Sequence, residues 1–361
     1  MISTVDAAAF AAAVKSVSGI LEKNDVPQLA QVRVQFADDA CRVSATDMAA
    51  WLSADIPAAG DEFSFVFRNT AKLLRAMRHL SGALTIELLG PEDDRKVYLH
   101  TESKAGEFPA LEDDAHEEIP RFVPEQRYEV NLETLRRRVE NVSYATSIRV
   151  GKPASAGVRF QDRRIWSVDG YRMAIHEAVT LNVTTPFILS AAALKHLRAF
   201  QTKDGELLVG KDYAAITTDG LTLTCPLVER SDDLQIETVI PKKFAETYLV
   251  SRKQYLDALN YLSACTNAKE QIYVVFDGGY LVTHDRHGKY AARVEIVEGE
   301  SKVNYAFNLA YMKQALEHLK DDELVRIDAI SEISPILLRC GDVTAMVLPV
   351  RMPKAWRARA A

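Results

Sequence analysis

Cysteine is scarce in this chain. Its four cysteines, Cys41, Cys225, Cys265 and Cys340, stand far apart, and none belongs to a CxxC pair. That spacing disfavours a disulfide-stapled scaffold or a thiolate metal site and favours free thiols in a reducing cytoplasm. Long apolar runs are missing, and none approaches the ~20 residues of a membrane span. The opening MISTVDAAAF lacks a basic segment followed by an apolar one, so neither a secretory leader nor a membrane partner is expected. Catalytic signatures are missing too: there is no G-x-x-x-x-G-K-S/T loop, no G-x-S-x-G and no H-E-x-x-H. His284 and His287 flank Asp285, but without a second ligand cluster at zinc-like spacing they read as a surface hairpin. Acidic pairs such as Asp93-Asp94, Asp113-Asp114 and Asp321-Asp322 fall in turns or linkers, where solvated charge is the default. No enzymatic activity, cofactor or metal is expected.

What is present is ample core-forming material, 48% hydrophobic with 26% charged residues over 361 positions, enough for two or three domains. The stretch Leu132–Ser143 organises the rest. Leu132, Leu135, Val139 and Val142 fall at helical spacing, Asn131 suits an N-cap, and Glu133 suits the positive end of the helix dipole. The same pattern recurs as Phe10, Val14, Val17 and Ser18 and as Tyr255, Leu259, Leu262 and Ser263, each copy preceded by a valine: Val5, Val130 and Val250. A second marker is a turn leading into a strand at Asp47, Asp169 and Asp285. A third is a strand running into a helix: FSFVFRNTAKLLRAMRHL, PFILSAAALKHLRAF and YAFNLAYMKQALEHL. Three markers in one order, at intervals of about 120 residues, predict a threefold structural repeat.

Each repeat reads helix, strands, helix, strands, with helices expected at 5–23, 69–80, 132–144, 190–203, 252–264 and 308–320. Segments 108–126 and 230–243, acidic and proline-containing, read as extended linkers. The expected fold class is α+β, sheet on one layer and helices on the other. Domains fall at 1–125, 126–247 and 248–352, followed by a basic tail at 353–361 that carries Lys354, Arg357 and Arg359 and reads as a frayed end.

Charge separates by element. The six predicted helices hold 15 Lys and Arg against 6 Asp and Glu, although the whole chain carries −6. The alternative reading is that basic residues prefer helices through propensity alone, against which Glu shares that propensity yet is scarce there. A shared basic helix face attracts phosphate backbones without reading bases, and an acidic exterior confines that attraction to one side.

These residues resemble the bacterial DNA sliding clamp, the beta subunit of DNA polymerase III, over residues 1–352. The family's A-T-D-G-H-R-L-A stands here as Ser167-Val168-Asp169-Gly170-Tyr171-Arg172-Met173-Ala174, and its terminal M-P-M-R-L as Leu348-Pro349-Val350-Arg351-Met352. Its D-F-P-N-L-D is matched closely by the segment Glu107-Phe108-Pro109-Ala110-Leu111-Glu112-Asp113. The family's histidine is Tyr171 here, its linker Phe-Pro-Asp-Tyr is replaced by Asp233-Leu234-Gln235-Ile236, and its R-P-x-L-P loop by Asn24-Asp25-Val26-Pro27-Gln28.

The resemblance implies three tandem clamp domains, helices lining a channel with antiparallel sheets outside, and a head-to-tail dimeric ring around double-stranded DNA. It also implies two partners, a polymerase catalytic subunit and an ATP-driven loader that opens the ring. Partner peptides would enter a pocket formed by Val168, Gly170, Tyr171, Arg172, Met173, Leu234, Val239, Met346, Leu348, Pro349, Val350 and Arg351. Apolar walls there would accept Leu and Phe anchors while arginines orient polar peptide groups. Expected DNA-facing cations are Lys23, Lys72, Arg75, Arg78, Arg136, Arg137, Arg138, Lys195, Arg198, Arg252, Lys253 and Lys313. The alternative is a repeat-built interaction scaffold that does not encircle DNA.

Overall fold

The computed structural model describes residues 1–21, 31–67, 70–91, 94–111, 118–147, 153–229, 235–266, 272–285 and 288–351. The chain forms two compact units, Met1–Arg136 with Ala192–Leu227, and Arg137–Ala191 with Val228–Ala361. Its helices are α1 (Ala7–Ser18), α2 (Thr70–Met77), α3 (Leu132–Ser143), α4 (Ala191–Leu194), α5 (Ile236–Val239), α6 (Arg252–Cys265) and α7 (Leu309–His318). None among the described residues is long and apolar enough to cross a membrane.

The three organising helices share their local chemistry. Asp6, Asn131 and Ser251 each accept from the backbone N–H three residues on, at 2.8, 2.9 and 3.4 Å, satisfying an orphan donor of the first turn. Their apolar stripes are buried: Phe10, Val14 and Val17; Leu135, Val139 and Val142; Tyr255, Leu259 and Leu262. Each fully buried side chain of this size contributes roughly 1.5–3 kcal/mol. Ser18 and Ser143 turn their hydroxyls back onto Val14 and Val139 at 2.5 and 2.6 Å.

The second helices differ more than expected. In the middle repeat the predicted helix 190–203 is a single α-turn followed by a 3₁₀ segment, Lys195–Ala199. Its buried side chains recur every third residue, Ala193 with His196 and Leu194 with Leu197 and Phe200, which is the 3₁₀ period and not the α period. The first-repeat prediction 5–23 shortens because Ile2–Asp6 is a strand, and the linker prediction 230–243 gains the one-turn helix α5. Segment 108–126 opens as the end of the strand Ala105–Leu111.

Unit one carries a twelve-stranded sheet and unit two a nine-stranded and a four-stranded sheet; all pairings are antiparallel. Each large sheet contains one seam between neighbouring repeats. In unit one, Trp51–Gly60 pairs with Leu221–Pro226, placing Trp51 opposite Thr224. In unit two, Arg172–Glu177 pairs with Val343–Val347, placing Met173 opposite Met346. In both, the strand that follows a turn aspartate joins the last strand of the next repeat. An apolar core in unit two brings Tyr248, Tyr255, Phe276 and Tyr305 together with α6 and α7 residues around Leu259 and Leu316.

Leu259→Ala is expected to cost about 2–5 kcal/mol by leaving a cavity under α6, whereas Arg137→Ala, on the exposed face of α3, stays within about 0.5 kcal/mol. Urea unfolding followed by circular dichroism checks both; equal losses would show that the stripe is not the anchoring face.

Candidate functional site

The strand Arg172–Glu177 lies between Arg164–Val168 and Val343–Val347. Period-two alternation places Trp166, Met173, Ile175, Leu337 and Met346 on one face of the sheet, where they form a buried apolar cluster. Ile236 of α5 lies on it, with Val168, Val239, Ile240 and Phe244 partly buried around it. Of the predicted pocket residues, Val168, Met173, Val239 and Met346 thus come together in one cluster. Leu234 lies outside the described residues. Leu348 donates its N–H to the Tyr171 carbonyl at 2.8 Å, and Val350 donates to Ala306 at 2.7 Å, so the segment Leu348–Val350 runs half-buried beside the turn. Arg351 is exposed.

Asp169 builds that turn. Its Oδ1 accepts from the N–H groups of Tyr171 and Arg172 at 2.9 and 3.1 Å, and Gly170 at the tip adopts φ +88° with open space around it. Oδ2 accepts from Arg172 Nε at 2.9 Å. The Arg172 Nη1 donates to Gln314 Oε1, and the guanidinium lies 4.6 Å from the Tyr311 ring centre and 5.6 Å from that of Tyr144. Arg172 is buried, so its donors serve the turn and helix α7. Tyr171, 46% exposed, stacks on Tyr311 with ring centres 6.0 Å apart. Tyr144 stacks on His318, and burial pushes the Tyr144 hydroxyl well above its usual range. Tyr311 and Gln314 were not singled out in the sequence; their spacing of three on α7 puts them on one helix face. Across α5 the sheet face continues into a cleft of about 440 Å³, bordered by Arg164, which pairs with Glu177 at 3.1 Å and Glu237 at 2.5 Å.

In unit one the matching turn is built by Asp47. Oδ1 accepts from Ala49 and Ala50 at 3.0 and 3.1 Å, while Oδ2 meets buried His196 Nε2 at 2.7 Å and Lys195 Nζ at 3.4 Å. Burial pushes this carboxyl up, but the His196 hydrogen bond and the charges of His196 and Lys195 outweigh it, holding the pKa below the usual carboxylate value.

The predicted cations divide into two groups. Lys72, Arg75, Arg78, Arg137, Lys195, Arg198 and Lys253 are exposed. Arg136, Arg138, Arg252 and Lys313 are half-buried, and three of these hold internal partners: Arg138 donates to Thr180 at 3.2 Å, Arg252 to the Leu316 carbonyl at 3.3 Å, and Lys313 faces Glu317 at 3.9 Å. Burial and neighbouring Arg137 lower the Arg138 pKa. Lys23 lies outside the described residues. Between α1 and the 3₁₀ segment Lys195–Ala199 runs a trough of about 710 Å³, lined by Lys15, Lys195, Arg198 and Gln201 among others, with no Asp or Glu among the described residues of its lining. Lys15, one helical turn before Ser18, is not among the expected DNA-facing cations, and its own helix carries little other charge to mark it. Among the described residues no three His, Cys, Asp or Glu side chains gather as a metal site.

Arg172→Ala would leave the Asp169 carboxylate buried without its cation, at a cost of about 3–5 kcal/mol, read as a lowered midpoint in denaturant; a change within error would show that Gln314 and the backbone suffice. For Asp47 the sign follows from its depressed pKa: its contribution is present above about pH 4, the unfolded value, and fades as pH falls through the lower folded value. Asp47→Asn is therefore expected to destabilise unit one at pH 7 and to flatten its acid unfolding profile below pH 4, checked by thermal melts across pH.

No family model matches the chain, and no curated protein does. Its structure superposes on the DNA polymerase III beta subunit of Thermotoga maritima with a TM-score of 0.80 at 19% identity, covering 98% of this chain and 100% of that one. The beta subunit from Pseudomonas aeruginosa gives 0.82 at 18%, and the DNA polymerase sliding clamp of Bacillus subtilis 0.80 at 15%, each with the same coverage. The chain therefore has the fold of the bacterial DNA sliding clamp, the beta subunit of DNA polymerase III, over 98% of its length.

Proposed function

We propose that this protein is a DNA polymerase processivity clamp. Two copies close head to tail into a ring around duplex DNA, each contributing three domains at 1–125, 126–247 and 248–352. The carrying observation, within a clamp fold, is the trough lined by Lys15, Lys195 and Arg198, in which no Asp or Glu stands among the described lining residues. Helix-borne cations of this kind hold phosphates through counterion release and leave the protein free to slide. Partner proteins dock a short apolar peptide beside Val168, Met173, Val239 and Met346, next to the exposed Tyr171 ring. Tethering raises the polymerase's effective concentration at the primer end. The chain catalyses no reaction and uses no cofactor; a separate ATP-driven loader opens the ring, and the work is cytoplasmic.

The test is retention on nicked circular DNA after loading, before and after linearisation. Release on linearisation supports encirclement. A stable dimer that never stays on the circle despite a competent loader overturns it and favours a scaffold role. A Lys15→Ala, Lys195→Ala, Arg198→Ala triple variant is expected to weaken binding to linear duplex about tenfold at low salt and to lower the salt slope by about 2–3, one unit per lost phosphate contact.

A further inference from the structure

The sheet face that carries the apolar cluster continues beyond it. One cross-strand row runs from Trp166 through Ile175, Thr344 and Arg339 to Arg326, each residue opposite the next in the ladder. The apolar end of this row lies in the cluster covered by α5, and its basic end opens into the cleft of about 440 Å³. Ile175 and Ile236 belong to both, so cluster and cleft share a wall.

Two arginines directly opposite each other on neighbouring strands repel and need a counter-charge. Asp328, two residues after Arg326 and therefore on the same face, supplies one. It is wholly buried. Its Oδ1 accepts from Arg326 Nε at 2.8 Å and from Thr247 Oγ1 at 2.7 Å, while Oδ2 stands 3.0 Å from Arg339 Nε. One anion thus serves two guanidinium groups, and among the described residues no second carboxylate pairs with either. Both side chains remain accessible, Arg326 at 48% and Arg339 at 38%, and both line the cleft. Phe244 flanks Arg339, its ring centre 5.6 Å from the guanidinium.

The opposite border carries the other sign. Arg164 is shared there between Glu177 and Glu237, whereas exposed Lys242 adds a further cation to the cleft. A nucleic-acid strand laid along the cleft would meet those glutamates as well as the arginines. A single carboxylate side chain reaches the arginine pair alone and suits its forked donors.

We infer that the cleft is the second half of the partner-docking surface: a partner chain anchored on the apolar cluster continues over α5 and places an Asp or Glu side chain between Arg326 and Arg339. With Asp328 beneath, two anions then face two cations. This rests on the peptide-docking reading above and adds the charge of the partner. The tail of this chain is the wrong occupant, since Lys354, Arg357 and Arg359 match the arginines in sign. The path also sets a length. Arg339 stands one strand across and two residues along from Met346, about 8 Å. Crossing α5, about 10 Å wide, brings the path to roughly 15–20 Å, five or six extended residues.

The test is fluorescence anisotropy of labelled synthetic peptides on the full chain at low salt. Each peptide carries a Leu-Phe anchor with two glutamates about five and six residues after it or before it, or glutamines in their place. One glutamate peptide is expected to bind about five- to tenfold tighter than its glutamine counterpart, a preference that fades as salt rises. Arg326→Gln should bring that preference to within about twofold. Arg339→Lys keeps a charge beside Asp328 but loses the planar fork, and should cut it about threefold. Equal binding of glutamate and glutamine peptides in both orders, or a preference that neither variant moves, overturns the acidic anchor and leaves the peptide site standing. If no peptide binds at all, the docking reading itself falls. Duplex DNA that displaces the glutamate peptide but not the glutamine peptide assigns the cleft to phosphate and overturns the inference. So does a glutamate peptide that binds about fivefold tighter once Asp232→Asn and Asp233→Asn are combined, because this chain's own acidic segment then holds the cleft.

Discussion

Antiparallel pairing across the seams is the constraint on which the rest of the structure depends. A strand at a sheet edge exposes a row of unpaired N–H and C=O groups, and an α+β repeat of this size has an edge on each side. Here those edges are consumed by joining the strand after each turn aspartate to the last strand of the next repeat. The joint fixes more than hydrogen bonds. Because side chains alternate with period two, the register that sets Met173 on Met346 also decides that Trp166, Ile175 and Leu337 share their face and that α5 has an apolar surface to cover. The candidate peptide site is thus a by-product of a seam, which explains why it is built on rigid strands with only one short helix laid across them.

The turn aspartates work as locks on the same seams. Each spends one carboxylate oxygen on its own backbone and the other on a basic side chain, so it is satisfied although nearly buried. The chemistry differs between the two closed instances. Asp47 meets His196 directly, while Asp169 reaches α7 through Arg172, whose guanidinium is also sandwiched near Tyr311 and Tyr144. The second arrangement places aromatic rings around the turn and leaves Tyr171 on the outside, which gives unit two a surface suited to an apolar peptide that unit one does not share.

Much of this was legible in the sequence because it is local. The stripes of α1, α3 and α6, their caps, and the three turn aspartates follow from spacing and side-chain chemistry within a few residues. Val168, Met173 and Met346 could be placed through short motifs. The parts that escaped depend on partners far along the chain. Tyr311 and Gln314 matter only because Arg172 lies beside them, and the 3₁₀ turn at Lys195–Ala199 is imposed by what His196 and Leu197 must bury. Arg138, Arg252 and Lys313 looked like surface cations by composition, yet each has an internal partner. A count of helix charge cannot separate cations committed inside the protein from those left for phosphate.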